Sequence, residues 1–539
     1  MADDPLTIRG INWRETFPFT NLFRAFRVAI HPSKIVLALV ALLLLYVGGR
    51  ILDGVWPLHD RAVPGEVAAY EAYLRGPRAG EKFDDFYRQP TRREIEDGYA
   101  TQLMDLKLVT DRAAAEKAAQ NGDKLGDVKG ELLKQRAAAV DASNKSYTDS
   151  MTAAGKLSGD ARKEAEQAAK ETRDASVRSA YENAYAQYES AKRIKNHGLF
   201  DHFFQYQSSQ VSNVVRGVRE WNWFGEEHFS ERAAAANAAA ANNPLAALAA
   251  GEVLSSGAGA YGSPGVIQAV VRFFTIGPLW LLTQHTFYFL IFGIYFLVLW
   301  AIFGGAISRI AAVHVARDEK MSIRSALKFS ISKFLSFLFA PIIPLLIVLV
   351  VGLIVAIGAL VGNIPFLGPI IVGALFFLAL AAGFVMALVL LGLVGGFNLM
   401  YPTIATEGSD SFDAISRSFS YLYARPWRLA FYTIIAVIYG ALTYLFVRLF
   451  IYLMLVLTHK FVSVGFLYHA DSTAPLWSVM WPSPTTAARL SYDIDFLTLG
   501  VGQDIGAFLV AFWVYLVISI LGAFAISFYF SANTIIYYL

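Results

Sequence analysis

The amino-acid sequence predicts an all-α integral membrane protein with about six transmembrane helices and a helical, coiled-coil-like extracytoplasmic insertion between the first and second. Of its 539 residues, 55% are hydrophobic and only 17% are charged, a composition unsuited to a water-soluble fold. The charges are unevenly placed, since residues 53–278 hold 31 of the 43 acidic and 28 of the 46 basic residues. A polar segment therefore interrupts an apolar chain.

Six stretches are apolar and long enough to cross a bilayer, because a helix of about 20 residues satisfies its own backbone groups in lipid. They cover residues 35–52, 283–306, 335–360, 368–397, 429–457 and 505–530. The first is interpreted as an uncleaved signal anchor, since no convincing cleavage site follows it. The predicted organisation is a cytoplasmic segment (1–34), the first span (35–52), an exported segment (53–278) and a five-helix membrane domain (279–539).

The N-terminal segment predicts an amphipathic helix at the inner membrane interface. Phe19, Phe23, Phe26 and Ile30 recur at helical spacing. The basic residues Arg24 and Arg27 and the polar residues Thr20 and His31 fall on another face, a pattern typical of interfacial helices.

Lysine and arginine are concentrated before the first span, after the second and after the fourth, as in cytoplasmic loops. The intervening loops contain few: residues 362–367 have none, and the loop between the last two spans has only Lys460 and Arg489. This asymmetry predicts a bacterial inner (cytoplasmic) membrane protein with both termini in the cytoplasm and residues 53–278 outside. A net charge of +3 excludes nucleic acid as an expected partner.

Within the exported segment, residues 91–195 are rich in helix-forming residues and contain no proline. Breaks at Asn121-Gly122, at Gly126 and at 155–159 predict about three helices that fold back on each other as a hairpin or coiled-coil stalk, with partial disorder as the alternative. The aromatic stretch after Leu199 is expected at the outer membrane-water interface. Residues 233–265 are of low complexity and are expected to form a linker.

The loops after the second and fourth spans resemble each other, from Ala316 to Ser330 and from Ala405 to Ser418, and predict two parallel repeated units. Chance similarity of two amphipathic loops is the alternative. The second loop, Tyr401-Pro-Thr-Ile-Ala-Thr-Glu407-Gly408 followed by Ala414, Arg417-Ser418 and Trp427-Arg428, resembles that of bacterial polytopic membrane proteins of the YciC group and the glycerophosphodiester phosphodiesterase membrane domain. The resemblance covers about residues 283–460, and it implies the membrane fold but no phosphodiesterase activity, because the soluble barrel is missing.

Four charged residues are the candidate functional residues. Glu407, Asp413 and Arg417 lie in the second repeated loop, and Arg448 lies inside the fifth predicted span, where a charge is costly unless it snorkels or functions. Arg448 is expected about a turn and a half from the outer end of that span. No catalytic, cofactor-binding or metal-binding residue is predicted. Two groups could in principle supply nitrogen and oxygen ligands to a metal, but neither has the spacing of a known site: His197, Asp201 and His202, and Glu226, Glu227 and His228.

Three classes of function remain open on the sequence. No phosphate-binding loop, serine-nucleophile elbow or His-Glu-x-x-His pair occurs, so no cofactor is expected. A non-enzymatic envelope scaffold or assembly protein is preferred, ahead of a transporter or channel component and of a membrane enzyme acting on lipid. The expected partners are the lipid bilayer, a protein bound by the exported helices, and a second copy of the chain.

Overall fold

The computed structural model describes residues 17–57, 60–75, 82–195, 198–224, 264–466, 475–484 and 501–539, with positions 490, 492, 494 and 499. These residues form helices and no β-strand, which confirms the all-α prediction. The chain divides into two compact units. The first unit comprises Met1–Val47, Gly293–Leu449 and Val517–Leu539, and the second comprises Gly48–Phe292 and Phe450–Leu516.

The described residues up to 224 form eight α-helices, after a short 3-10 turn at Pro18–Phe23. They are α1 (Arg24–Ala29), α2 (Pro32–Val55), α3 (Glu66–Arg75), α4 (Gln89–Asp105), α5 (Arg112–Asn121), α6 (Leu125–Ala154), α7 (Asp160–Lys192) and α8 (Leu199–Arg219). A π-helical turn, Asp84–Arg88, leads into α4.

From residue 264 onward, the part of the chain that the structure describes forms ten α-helices. They are α9 (Val266–Gln284), α10 (Thr286–Leu299), α11 (Gly305–Arg317), α12 (Ile323–Ser332), α13 (Phe334–Ala359), α14 (Leu367–Glu407), α15 (Ser411–Ala424), α16 (Pro426–Gly465), α17 (Leu476–Met480) and α18 (Val501–Tyr538). A π-helical segment, Trp300–Gly304, joins α10 to α11.

Seven helical stretches in the described residues are long and apolar enough to cross a membrane. Six correspond to the predicted spans and are longer than predicted: Pro32–Val55, Thr286–Arg317, Phe334–Asn363, Leu367–Glu407, Pro426–Gly465 and Gly502–Tyr538. Five of these contain the whole predicted span, whereas Thr286–Arg317 begins after the predicted start at residue 283. The seventh, Val266–Gln284, lies mostly within the segment predicted to be exported. The structure therefore shows a multi-pass membrane protein.

The core of the first unit is built by close helix approach. A methyl group added at Gly305 of α11 would collide with the Ser330 hydroxyl of α12, and one added at Gly392 of α14 would lie 2.6 Å from the Phe419 ring of α15. Small residues thus let each short helix pack directly on the long helix before it, as expected where lipid provides no hydrophobic drive between helices.

The N-terminal segment packs on the first unit through small residues such as Ala25, which allow close approach. Two residues of the predicted aromatic stripe, Phe19 and Phe26, pack against the same core. The other two, Phe23 and Ile30, are 50% and 47% exposed. The location of this segment at the inner membrane interface stays a prediction.

In the second unit, α6 and α7 form a long antiparallel hairpin, which we call the arm. The predicted break at residues 155–159 separates these two helices, and Gly122 ends α5 in the left-handed conformation with φ +66°. The predicted break at Gly126 is wrong, because α6 begins at Leu125 and continues through it. The region contains four helices, α4 to α7, rather than about three.

The base of the arm has a small core that the sequence analysis did not anticipate. Tyr99 and Leu103 of α4 pack with Val128 and Leu132 of α6 and with Ile194. Beyond Leu132, no residue of α6 is buried until Ala154. The arm is therefore a packed base that carries a thin two-helix extension.

Candidate functional site

Three of the four predicted functional residues meet in the first unit, in what we call the Arg417 cluster. The Arg417 guanidinium lies 2.7 Å from a Glu407 carboxylate oxygen and 2.9 Å from Asp413 Oδ1. The Tyr537 hydroxyl donates a hydrogen bond to the other Glu407 oxygen. All three charged side chains are exposed to solvent by about a third or more, at 47%, 31% and 41% for Arg417, Glu407 and Asp413.

The Arg417 cluster follows from local helix signals. Gly408 ends α14 with φ +70°, and Asp410 caps α15 by accepting a hydrogen bond from the Asp413 amide at 2.9 Å. Asp413 and Arg417 then lie one turn apart on α15. Both carboxylates raise the pKa of Arg417 above its usual value, so the cluster fixes a charged arginine at the end of α14.

Arg448, the fourth candidate, lies apart from this cluster. Its side chain is buried, and its Nη1 donates to the Tyr444 hydroxyl one turn earlier at 3.0 Å. α16 continues to Gly465, 17 residues or about 25 Å beyond Arg448, so the helix is longer than the predicted span, and the position of Arg448 near the outer end of that span stays a prediction. A buried arginine near the middle of a 40-residue apolar helix is harder to explain by snorkelling alone.

The two repeated loops share their local geometry. A left-handed residue ends the long helix in each case, Asp318 at φ +56° and Gly408 at φ +70°. Ser322 caps α12 by accepting from the Ser325 amide at 3.2 Å, as Asp410 caps α15. Ala326 and Ser330 of α12, and the corresponding Ala414 and Ser418 of α15, are all buried. The two loops therefore resemble each other in helix capping and in burial as well as in residue identity, which favours duplication of the unit.

The structure describes only two of the six possible metal ligands, Asp201 and His202. His197, Glu226, Glu227 and His228 lie outside the described residues. Asp201 forms an ion pair with Arg50 at 3.1 Å, and His202 is buried in α8. Across the residues that the structure describes, no group of three or more His, Asp or Glu could hold a metal ion.

The most connected polar site lies in the second unit and centres on Glu66, the first residue of α3. Its Oε1 accepts from Arg88 Nη2 at 2.6 Å and from Trp280 Nε1 at 3.1 Å, and lies 3.1 Å from His285 Nε2. Its Oε2 accepts from the Val63 amide at 2.9 Å. The Glu66 side chain is completely buried. We call these residues the Glu66 cluster.

Electrostatics decide what the Glu66 cluster can do. Burial alone would raise the pKa of Glu66, but the hydrogen bond from His285 and the charge of Arg88 outweigh it and lower the pKa to about 2. A carboxylate that is ionised at neutral pH, with both oxygens already bonded, is a poor proton acceptor. The cluster therefore acts as a structural tie between α3, the turn before α4, and the end of α9.

Two further carboxylates extend this network in the second unit. Asp53, near the end of α2, accepts from the Phe200 amide at 2.9 Å and the Asp201 amide at 3.1 Å, and thus caps the N-terminus of α8. The Tyr288 hydroxyl of α10 donates to the same Asp53 at 2.8 Å. Glu71 of α3 pairs with Arg272 of α9 at 2.9 Å.

The sequence analysis did not identify these residues because their partners are far apart in the chain. Glu66 and His285 are 219 positions apart, and Asp53 and Phe200 are 147 apart. The one local signal is the position of Glu66 at the start of a helix, directly after Pro64-Gly65. Such a signal predicts a helix start and does not predict burial.

Comparison of the chain with family models, with curated proteins and with solved structures gives no match. The resemblance of residues 283–460 to the YciC group and to the phosphodiesterase membrane domain therefore stays a prediction.

Proposed function

We propose that this protein is a non-enzymatic scaffold of the bacterial inner membrane, whose arm binds another protein of the cell envelope. The arm itself is the observation that carries the proposal. α6 has 30 residues and α7 has 33, lengths of about 45 and 50 Å. An extension of this kind offers a large exposed surface and little interior in which a reaction could be enclosed.

The arm is stiffened by paired side chains along its seam. The Arg136 guanidinium of α6 lies 4.3 Å from the ring centre of Tyr181 in α7, and that of Arg173 in α7 lies 4.8 Å from Tyr147 in α6. Such cation–π pairs contribute about 0.5–1 kcal/mol each at exposed sites. Coiled-coil-like packing of the remaining alanines and serines would hold the two antiparallel helices side by side without a hydrophobic core.

The proposed orientation follows the distribution of basic residues, with both termini cytoplasmic and the arm outside. The chain has no cysteine, so Ser146→Cys on the arm and Ser416→Cys on α15, both exposed positions, each provide one thiol. In intact cells an impermeant maleimide should label position 146 and spare position 416, whereas lysed cells should give label at both. Labelling of 416 alone in intact cells would reverse the orientation.

The scaffold role is tested by removing the outer part of the arm. Residues 138–175 are replaced by a short Gly/Ser linker, which leaves the core at the arm base intact. We expect normal membrane insertion and an unchanged melting temperature, together with loss of complementation in a deletion strain. Full complementation by this shortened protein would refute the scaffold proposal.

A transporter or channel component is the second candidate, and the buried Arg448 together with the repeated loops favours it. An ion-coupled transporter needs charged groups at depth in the membrane. Arg448→Gln is the matched comparison for the arm deletion. If Arg448→Gln inserts and folds normally but fails to complement, while the shortened arm complements, the transporter replaces the scaffold.

A further inference from the structure

The helix α9 is apolar enough to cross a membrane, but it packs on polar neighbours in the second unit. It runs antiparallel to α8, since Val266 lies beside Gly217 and Gly277 lies beside Phe203. Its Arg272 is held by Glu71 of α3 at 2.9 Å. Neither α3 nor α8 belongs to the helices that could span a bilayer. Charged helices are excluded from hydrocarbon, so the face of α9 that contacts them lies outside the membrane core.

The chain bends sharply between α9 and α10. The Phe203 ring lies 3.1 Å from the position of a methyl group on Gly277 and has its centre 6.3 Å from that of Phe292. Gly277 and Phe292 are about 12 and 10 Å from His285 along their respective helices. One ring can contact both only if the two helices turn at His285, whose backbone (φ −136°, ψ 53°) leaves the helical region.

The bend is fixed by the Glu66 cluster. Trp280, one turn before the end of α9, and His285 at the bend both contact the same Glu66 oxygen. Both side chains are buried. The direction of α9 is therefore set by the same contacts that hold α3, and α9 does not continue the path of α10.

The opposite face of α9 is apolar and uncovered. Five side chains at helical spacing are 41–71% exposed: Ile267, Val270, Val271, Phe274 and Leu282. Three exposed aromatic residues, Trp221, Trp223 and Phe224, follow the end of α8. They lie beside the start of α9, because the backbone amide of Ile267 donates to the carbonyl of Trp223 at 3.1 Å. Tryptophan beside an apolar helix face is typical of the membrane-water interface.

We propose that α9 lies along the bilayer surface on the side of the arm and does not cross, and that its apolar face is seated in the phospholipid interface. The bilayer that covers this face is the same one that α10 enters, because the exposed Phe287 and Leu290 of α10 follow directly after the bend. Six crossing helices then remain among the described residues, and an even number of crossings places both ends of the chain on one side. This inference stands apart from the scaffold role.

Depth measurements along α9 test the proposal. Single cysteines at Ile267, Val271, Phe274 and Leu282 in the cysteine-free chain carry an environment-sensitive fluorophore, in vesicles whose phospholipids are brominated at known acyl positions. A surface helix should give the same shallow depth at all four positions. A crossing helix should give depths that change steadily over about 22 Å.

The controls are Leu345, Leu349 and Leu353 of α13, which are exposed and belong to a predicted span. Their depths should change steadily, which shows that the method resolves a crossing helix. Each variant must keep the parent melting temperature, as expected for exposed positions. A steady change of depth along α9, or quenching there by aqueous iodide alone, would overturn the proposal.

Discussion

The Arg417 cluster and the Glu66 cluster are built from the same kinds of side chain, and they differ in burial and in sequence distance. Arg417 reaches partners 10 and 4 positions away and remains 47% exposed. Glu66 is fully enclosed by partners that are up to 219 positions away. The first cluster marks a local turn, whereas the second ties together segments that are far apart in the chain.

This difference indicates which charged cluster contributes to the free energy of unfolding. An exposed ion pair exchanges water for a partner at little net gain. A buried carboxylate with four donors has already lost its water, so removing it takes away the acceptor that these donors share, although Arg88 keeps its ion pair with Asp84. The two clusters should therefore respond very differently to the same chemical change.

The largest expected effect is that of Glu66→Ala. The change leaves Arg88, Trp280 and His285 buried without their shared acceptor, at a cost of about 3–5 kcal/mol in the free energy of unfolding. Denaturant titration in mild detergent, followed by far-UV circular dichroism, measures it. Glu407→Ala in the Arg417 cluster is the control and should leave the titration unchanged, so equal losses in the two variants would erase the comparison.

Acid should weaken the Glu66 cluster next most strongly. The pKa of Glu66 falls from an ordinary value of 4.5 to about 2 on folding, so its contribution is complete above about pH 4.5 and is lost as the pH falls toward 2. The shift corresponds to about 3 kcal/mol. The stability difference between the parent protein and Glu66→Gln should therefore narrow over this range, and a difference that stays constant down to pH 2 would contradict the assignment.

Tyr288→Phe should have a smaller effect. It removes one donor from Asp53, which keeps its two backbone amide donors, and it leaves the Trp56–Tyr288 ring contact in place. The expected loss is about 1 kcal/mol in the free energy of unfolding, measured by the same titration. If Tyr288→Phe lowered the free energy of unfolding as much as Glu66→Ala does, the contacts of Asp53 rather than those of Glu66 would contribute most to holding these helices together.

The smallest expected effect is that of Arg417→Gln. Because the Arg417 side chain is 47% exposed, its ion pairs should contribute nothing measurable to unfolding at physiological salt. Titrations at low and high ionic strength should superimpose with those of the parent. A loss matching that of Tyr288→Phe would mean that this exposed cluster also holds the fold together.

The features that the sequence predicted correctly depend on neighbouring residues. The helical stretch Phe334–Asn363 follows from an uninterrupted apolar run, and the turn before α15 follows from Gly408 and Asp410, because a helix end needs only local capping. The interpretation of residues 53–278 as a polar segment missed α9, since overall composition averages away a 19-residue apolar helix.

Long-range contacts explain what was missed. Trp280 and His285 look like ordinary interfacial residues in the sequence, and no local rule pairs either of them with Glu66. The length of α16 was underestimated because hydropathy locates the apolar centre of a helix but not its end. α16 continues past Leu457 through His459 and Lys460, polar residues that a hydropathy window excludes.

The distance between Glu66 and His285 also sets an order of events during synthesis. A ribosome adds about 5–20 residues per second, so His285 follows Glu66, 219 positions earlier, after an interval on the order of 10–40 s. Throughout that time Glu66 and Arg88 are present without Trp280 or His285, and α3 has no α9 to pack against. The arm can fold as soon as its own two helices are made, so it is complete before Glu66 can contact Trp280 and His285.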